Sequence, residues 1–323
     1  MTYAGKVLVT GSNGFAGSHL VDRLLTEGYN VFGTYRLGAS LENLASALDN
    51  GMVHVVMDIC DSDRVENIVR GIAPDYIFHL ASQTSTPKSF QYPERTFEVN
   101  LNGTVNLLDA LMATHSSAHT YVVLSQEAFG SVKPDEIPIR DDTPCRPNSP
   151  YGISKAMQQM VTQQYVASYG VNAVCLRPFT HSGPRQRRGF LFPDWAYQVA
   201  MIEARKQKPV INVGNLDAVR DYLHISDVID AYISVIGKGE PGAVYNICAG
   251  IETPVRVVLD EMISQAHTRK QITVEIDPKK MRPSDTPIFV GDHSKFTNLT
   301  GWNPRINVGE IVRDVLDYWR SQI

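Results

Sequence analysis

The sequence predicts an α/β fold: a doubly wound parallel sheet followed by a smaller C-terminal lobe. Three observations carry this expectation. Short, nearly continuous apolar runs alternate with amphipathic stretches up to about residue 178. Three glycines, Gly11, Gly14 and Gly17, stand between the first apolar run and the first amphipathic stretch, in "TGSNGFAG". Beyond residue 178 the alternation loosens. A sheet covered by helices on both faces needs strands that are apolar on both sides, hence unbroken runs.

In chain order the strand-like runs are Lys6–Thr10, Asn30–Tyr35, Val53–Asp58, Tyr76–Leu80, Thr120–Leu124 and Asn172–Arg177. Amphipathic stretches fill the intervals at Ala16–Glu27, Asp61–Gly71, Thr96–Thr114 and Tyr151–Tyr169. This order predicts right-handed crossovers between parallel strands. "RPFTHSGPRQRRGF" (Arg177–Phe190) is rich in turn formers and basic residues and reads as a loop. The expected division is a dinucleotide-binding domain over 1–178 and a substrate lobe over 179–323, with 226–250 returning to the first. No internal repeat or low-complexity tract interrupts it.

Composition narrows the function classes. Of 323 residues, 43% are hydrophobic and 20% charged, as in ordinary globular proteins. A net charge of −4 gives no electrostatic case for nucleic acid or an anionic membrane. No apolar run approaches the roughly 18 residues of a membrane span. The N-terminus lacks a signal peptide's layout, and Cys60, Cys145, Cys175 and Cys248 are scattered. A reducing, cytoplasmic setting without disulfides or zinc is expected. His115 and His119 have the spacing of one helix face but lie near a helix end, a weak case for a metal pair.

The glycine motif follows a strand and opens a helix, the context of a Rossmann dinucleotide site. The first glycine permits the tight turn, the second admits a pyrophosphate, and the third lets helix and strand pack closely. The helix N-terminus then stabilises the phosphate charge. At the end of the second strand, where an acidic residue would bind the ribose of NAD, stand Thr34, Tyr35 and Arg36. Arg36 is either a partner for a 2′-phosphate, which favours NADP(H) over NAD(H), or a solvated loop cation. Asp58 is a candidate for the adenine amino group or for a helix cap, a role that Asp61 or Ser62 fills better.

"YGISK" puts Tyr151 and Lys155 on one helix face. A nearby ammonium favours the phenolate, so this pair can exchange a proton with a substrate oxygen while hydride moves at the adjoining carbon. Ser125 directly follows the fifth strand, at the end of the sheet where ligands bind.

The glycine motif, "HLAS" (His79–Ser82), Asn100, Ser125 and "YGISK" together resemble the extended short-chain dehydrogenase/reductase family. Within it, "RPFTHSGPRQ", "VGNLDAVRDYLHISDV", "GAVYNICAG", "RPSDTPIFVGDHSKF" and "TGWNP" are most similar to enzymes of GDP-deoxyhexose synthesis. The resemblance implies a catalytic set of Ser125, Tyr151 and Lys155, with Asn100 supporting the active-site helix. It implies that Asn13, Phe15, Ile59, Leu80, Ala81, Ser82, Asn100, Tyr151 and Lys155 join the glycines, Arg36 and Asp58 around the cofactor, Lys155 on the nicotinamide ribose. It implies that Ser85, Thr180, Arg187, Arg220 and Arg282 join Ser125 in holding a GDP-linked sugar. Two guanidiniums suit a diphosphate, each offering a planar fork of donors. Arg185 and Arg188 are weaker candidates. The family's usual pair of long helices implies a homodimer, with a tetramer as the alternative.

Three positions depart from the family pattern. Thr180 replaces an asparagine, and in the stretch after the fifth strand Gln126 replaces a serine and Phe129 a tyrosine. Glu127 is kept, and as an extra base it would suit a GDP-mannose 4,6-dehydratase. The expected activity is reduction of a 4-keto group on a GDP-4-keto-6-deoxy sugar. The alternatives are the dehydratase, a nucleotide-sugar 4-epimerase, and a non-catalytic dinucleotide sensor.

Overall fold

The computed structural model describes residues 4–268, 270–280 and 286–323. Six strands belong to the chain's first part: β1 (Lys6–Thr10), β2 (Asn30–Tyr35), β3 (Val53–Val56), β4 (Tyr76–His79), β5 (His119–Val123) and β6 (Ala173–Pro178). A seventh, Val244–Ile247, joins the β6 edge. The order across the sheet is Val244–Ile247, β6, β5, β4, β1, β2, β3, and every pairing is parallel. The chain winds outward from β1 to β3, crosses back, and winds the other way from β4. The crevice between β1 and β4 is the topological switch point, where doubly wound sheets receive ligands.

Alternation along β1 sets the layers. Val7 and Val9 face a core with Leu20 and Leu24 of helix Phe15–Thr26 and Val228 and Tyr232 of helix Ile225–Ser234. Leu8 faces the opposite core with Val65 and Val69 of helix Ser62–Ile72 and Leu107 and Leu111 of helix Gly103–Ala113. Both sheet faces are covered, as the apolar runs require. A separate core gathers Val199 of helix Leu191–Glu203, Leu259 of helix Val255–Ser264 and Val315 of helix Val308–Ser321. Short strands brace this part. Thr180–Ser182 runs parallel to Tyr222–His224, and Val219–Arg220 lies between Thr253–Pro254 and Ile288–Phe289.

Three local expectations are corrected. The helix expected over Thr96–Thr114 is three pieces: helix Pro93–Phe97, a π-helical turn Glu98–Asn102 and helix Gly103–Ala113. Apolar periodicity does not reveal one widened turn, and Asn100 sits within it, fully buried. The loop expected over Arg177–Phe190 contains the strand Thr180–Ser182. His115 lies in a left-handed turn (φ 48°) past the helix end and His119 opens β5, so no helix face carries both.

The helix Pro150–Tyr169 is bounded by its sequence. Ser149 caps it by accepting from the Gly152 N–H at 3.0 Å, Pro150 opens it, and Gly170 ends it at φ 71°. At the other end of the sheet, Gly11 turns the chain at φ 70°. A Cβ on Gly17 would stand 2.3 Å from the Gly11 carbonyl oxygen, so no larger residue fits without moving the first helix off the sheet. Gly17→Ala is expected to destabilise the fold by roughly 1–3 kcal/mol, the usual cost of overpacking, read as a lower midpoint in denaturant unfolding.

Candidate active site

The switch point is lined by backbone. Helix Phe15–Thr26 begins at Gly14 with no side-chain cap and no acidic residue in its first turn. Its first N–H groups are therefore left for an anion. A Cβ on Gly14 would meet Gly11 O at 3.2 Å, so packing constrains Gly14 less than Gly17. Asn13 donates to Ser40 O (3.1 Å) and its carbonyl accepts from Asn43 (3.3 Å), bracing the glycine loop against the segment after β2. Phe15 stacks on His181, with centroids 5.8 Å apart. Arg36, just past β2, is exposed and makes no ion pair among the described residues. Asp58 accepts from the Cys60 N–H (3.0 Å) and lies 3.8 Å from Arg95, while Asp61 caps the next helix. Ile59 is buried beside it. Leu80, Ala81 and Ser82 follow β4, and Ala81 packs on Gly11 so tightly that a Cβ there would stand 2.9 Å from its backbone. An uncapped helix start, a bare turn and an exposed cation past β2 fit a phosphate-bearing dinucleotide.

Behind the crevice runs a buried chain of hydrogen bonds whose direction is forced. Thr104 has one hydroxyl proton and donates it to Asn100 O at 2.7 Å. It therefore accepts both from Gln158 Nε2 at 2.6 Å and from His79 Nε2 at 3.0 Å. With its proton on Nε2, His79 accepts at Nδ1 from the Thr10 hydroxyl, 2.8 Å away. Thr10 Oγ1 in turn accepts from the Ala81 N–H at 3.1 Å. Burial, and secondarily the Lys155 charge, push His79 down to about 3, so the ring is neutral. Asn100 continues the connection. Its Oδ1 accepts from Ser82 Oγ (3.0 Å) and Gln83 N–H (2.7 Å), and its Nδ2 donates to Gln83 O (3.1 Å) and Ser154 Oγ (2.9 Å). Ser154 donates to Tyr151 O at 2.7 Å.

Ser125, Tyr151 and Lys155 converge at the end of β5. Ser125 acts on the Tyr151 phenol as a neighbour that favours its ionised form, and Ser125 Oγ accepts from the Glu127 N–H at 3.2 Å. Gly152 lets the helix press against this turn, since a Cβ there would stand 2.4 Å from Glu127 O. Tyr151 and Lys155 are both buried. Burial pushes the Tyr151 phenol well above its ordinary range; Ser125 opposes this and the Glu127 charge adds to it. Burial pushes Lys155 down to about 7. Its Nζ donates to Val123 O at 2.9 Å and lies 5.9 Å from the Tyr151 ring centre. The lysine-driven lowering of Tyr151 expected from the helix spacing is not among the causes acting on it, because burial dominates both groups. The phenol is held protonated.

Beyond this trio, Gln126 donates from Nε2 to Thr180 Oγ1 (2.7 Å) and accepts at Oε1 from the Thr180 N–H (3.2 Å). Arg220 donates to Val219 O (2.8 Å) and Pro287 O (3.3 Å). Its neighbour Asp221 accepts from the N–H groups of Ala249 (2.7 Å), Gly250 (2.8 Å) and Gly291 (3.2 Å). Burial nonetheless pushes Asp221 up to about 6. Ser85 caps a short helix, accepting from the Lys88 N–H at 3.3 Å. Arg185 is paired with Asp22 at 2.7 Å, Arg187 is exposed over Phe190, and Arg188 lies 3.8 Å from the Tyr197 ring centre. Arg282 lies outside the described residues. A cavity of about 660 Å³ lined by Arg188, Asp194, Gln198, Asn212 and Lys280, among others, is in the second lobe; Ser125, Tyr151 and Lys155 do not line it. Among the described residues no cluster of His, Cys, Asp or Glu suits a metal, and no helix is long and apolar enough to cross a membrane.

With this geometry in view, the relatives are informative. Residues 8–315 match the model of a family described as GDP-mannose 4,6 dehydratase. The chain belongs to that family. It is 34% identical over 250 residues to the GDP-6-deoxy-D-mannose reductase of Pseudomonas aeruginosa, covering 77% of this chain and 82% of that protein. It is 30% identical over 336 residues to GDP-mannose 4,6 dehydratase 2 of Caenorhabditis elegans, covering 96% and 87%. The solved structure of RMD from Pseudomonas aeruginosa complexed with NADPH aligns with a TM-score of 0.83 at 29% identity, covering 99% of this chain and all of that one (100%). Membership of the extended short-chain dehydrogenase/reductase group, stated above as a resemblance, holds.

Sequence reasoning left several residues of this dehydratase-family site without a role. His79 and Ser154 lay inside the quoted strings "HLAS" and "YGISK", and Asp221 inside "VRDY". Thr10 opened the quoted "TGSNGFAG", while Thr104 and Gln158 carried no signal, because their roles arise only when three elements meet in space. Lys155 generates a pH test. The unfolded chain holds its proton up to the ordinary lysine range near 10.5, whereas the folded chain releases it near 7. Between these values the unfolded state binds more protons, so this group's contribution to stability rises with pH from about 7 to 10.5. Lys155→Met is expected to melt higher than the parent at pH 7, by a margin that shrinks towards pH 9–10.

Proposed function

We propose that this protein reduces the 4-keto group of a GDP-4-keto-6-deoxy sugar to a GDP-6-deoxyhexose, using NADPH in preference to NADH. The observation that carries this reading is the buried Tyr151 phenol set beside Ser125 and Lys155 at the open end of the sheet, with Lys155 Nζ 5.9 Å from its ring centre. A protonated donor is what reduction of a carbonyl requires. The 34% identity to a GDP-6-deoxy-D-mannose reductase and the likeness to RMD complexed with NADPH support the substrate and the cofactor. Arg36, exposed and without an ion pair among the described residues, supports a 2′-phosphate.

Bound NADPH would supply the hydride. Ser125 donates a hydrogen bond to the carbonyl oxygen and polarises it. Tyr151 gives its proton to that oxygen as charge develops there. Lys155 responds to the resulting tyrosinate, whose negative charge favours the ammonium. Asn100 and Ser154 hold the first turn of the helix so that the Tyr151 hydroxyl stays over the site. Arg220, with Arg282 and Arg187, is assigned to the diphosphate.

A second reading has one specific observation behind it. The Glu127 charge acts on Tyr151, and a carboxylate near the proton donor would serve a GDP-mannose 4,6-dehydratase as a base. The two readings part in one assay. The reductase consumes NADPH only with the 4-keto-6-deoxy sugar, whereas the dehydratase releases water from GDP-mannose without net loss of cofactor. In the reductase assay Tyr151→Phe is expected to lower turnover roughly a hundred- to ten-thousandfold while NADPH quenching titrations stay near the parent's. Unchanged turnover removes Tyr151 from the mechanism.

The proposed assembly is a homodimer acting in the cytoplasm. Ile153, Met157 and Met160 form one stripe on helix Pro150–Tyr169 and are 38%, 36% and 69% exposed, an apolar surface suited to a second copy. Met160→Glu is expected to shift the mass measured by light scattering from dimer to monomer with the circular dichroism spectrum retained.

A further inference from the structure

Gln126 and Thr180, two of the three positions that depart from the family pattern, are bonded to each other, and the bonds fix a polarity. The Thr180 N–H can only donate, so the Gln126 atom facing it, at 3.2 Å, is Oε1. The amide is planar, so Nε2 faces Thr180 Oγ1 at 2.7 Å and donates to it. Thr180 Oγ1 is thereby an acceptor towards the protein, and its own proton finds no acceptor among the described residues. Gln126 is buried and Thr180 is half-buried. Thr180 also has a defined place along the site. Gln126 adjoins Ser125, and Thr180 pairs in register with Tyr222, two residues past Arg220.

We infer that Gln126 sets Thr180 as a hydrogen-bond donor to an acceptor oxygen of the substrate lying between the reacting carbonyl and the diphosphate, so that the pair determines substrate specificity. An asparagine at position 180 would present an amide able to donate or accept. The threonine held by Gln126 presents a donor alone. These two departures form one change, and Gln126 acts through Thr180. This inference rests on the sugar-nucleotide reading above.

The test is a set of kinetic measurements with NADPH and the GDP-4-keto-6-deoxy sugar. Thr180→Val removes the hydroxyl at constant shape and is expected to lower kcat/KM for the sugar roughly two- to tenfold, one hydrogen bond's worth, without moving KM for NADPH, while the melting temperature falls because buried Gln126 Nε2 loses its acceptor. Thr180→Ser recovers most of that loss. Gln126→Glu keeps the acceptor for the Thr180 N–H but offers a second acceptor to its hydroxyl, which turns the proton inward. It is expected to cost about as much as Thr180→Val, and to cost nothing further in the Thr180→Val background. A Gln126→Glu loss that persists in that background comes from the added charge and overturns the inference. So does a Thr180→Val enzyme with the parent's kcat/KM. A parent enzyme that does not consume NADPH with this sugar overturns the functional reading and this inference with it.

Discussion

Burying polar groups behind the switch point leaves them one arrangement. Thr10, His79, Thr104 and Asn100 have no access to water, and a buried donor or acceptor left unpaired costs on the order of 1–3 kcal/mol. The Thr104 proton is committed to Asn100 O, and the tautomer of His79 and the direction of the Thr10 hydroxyl follow from it. One end of this chain is the Ala81 N–H, against Gly11. The other is Asn100, which reaches Tyr151 through Ser154. The glycine loop and the first turn of the catalytic helix are thus held in one frame. Neither shifts without leaving a buried group unpaired, which is the kind of preorganisation hydride and proton transfer need.

The π-helical turn belongs to the same frame. A regular helix through Glu98–Asn102 would keep each residue in the repeat its neighbours set. The widened turn gives Asn100 three jobs: its carbonyl takes the Thr104 proton, its Oδ1 collects Ser82 and Gln83, and its Nδ2 reaches Ser154. The cost of an irregular turn is offset by groups that would otherwise be buried and unsatisfied.

Much of this was legible in the sequence, for identifiable reasons. β1 and β2 run over Lys6–Thr10 and Asn30–Tyr35, as their apolar runs define them, because strands buried on both faces leave unbroken patterns. The i, i+4 spacing of Tyr151 and Lys155 is local, so chain order reveals it. The strand Thr180–Ser182 was hidden among turn formers because it is stabilised by distant Tyr222–His224. The broken helix around Asn100 was hidden because the break answers hydrogen-bond demands from β4 and the catalytic helix, not a breaker residue. Thr180 and Gln126 were each visible as departures, but only the fold shows that they bond to each other.

Electrostatics bears on the chemistry. A dehydratase begins by oxidising a hydroxyl and needs Tyr151 as a base. Burial and the Glu127 charge both oppose the tyrosinate, and Lys155 gives one of its N–H groups to Val123 O. A reductase needs the opposite form, a loaded phenol. A phenol is already protonated at neutral pH, so burial adds nothing to its loading and makes it a weaker acid; the transfer rests on the basicity of the alkoxide developing on the substrate. With Lys155 near 7, the amine sits close to its titration point and can become the ammonium as negative charge appears on Tyr151. Glu127 acts by its charge on the phenol, which disfavours the tyrosinate that proton donation and base catalysis both pass through, so this charge does not separate the two reactions.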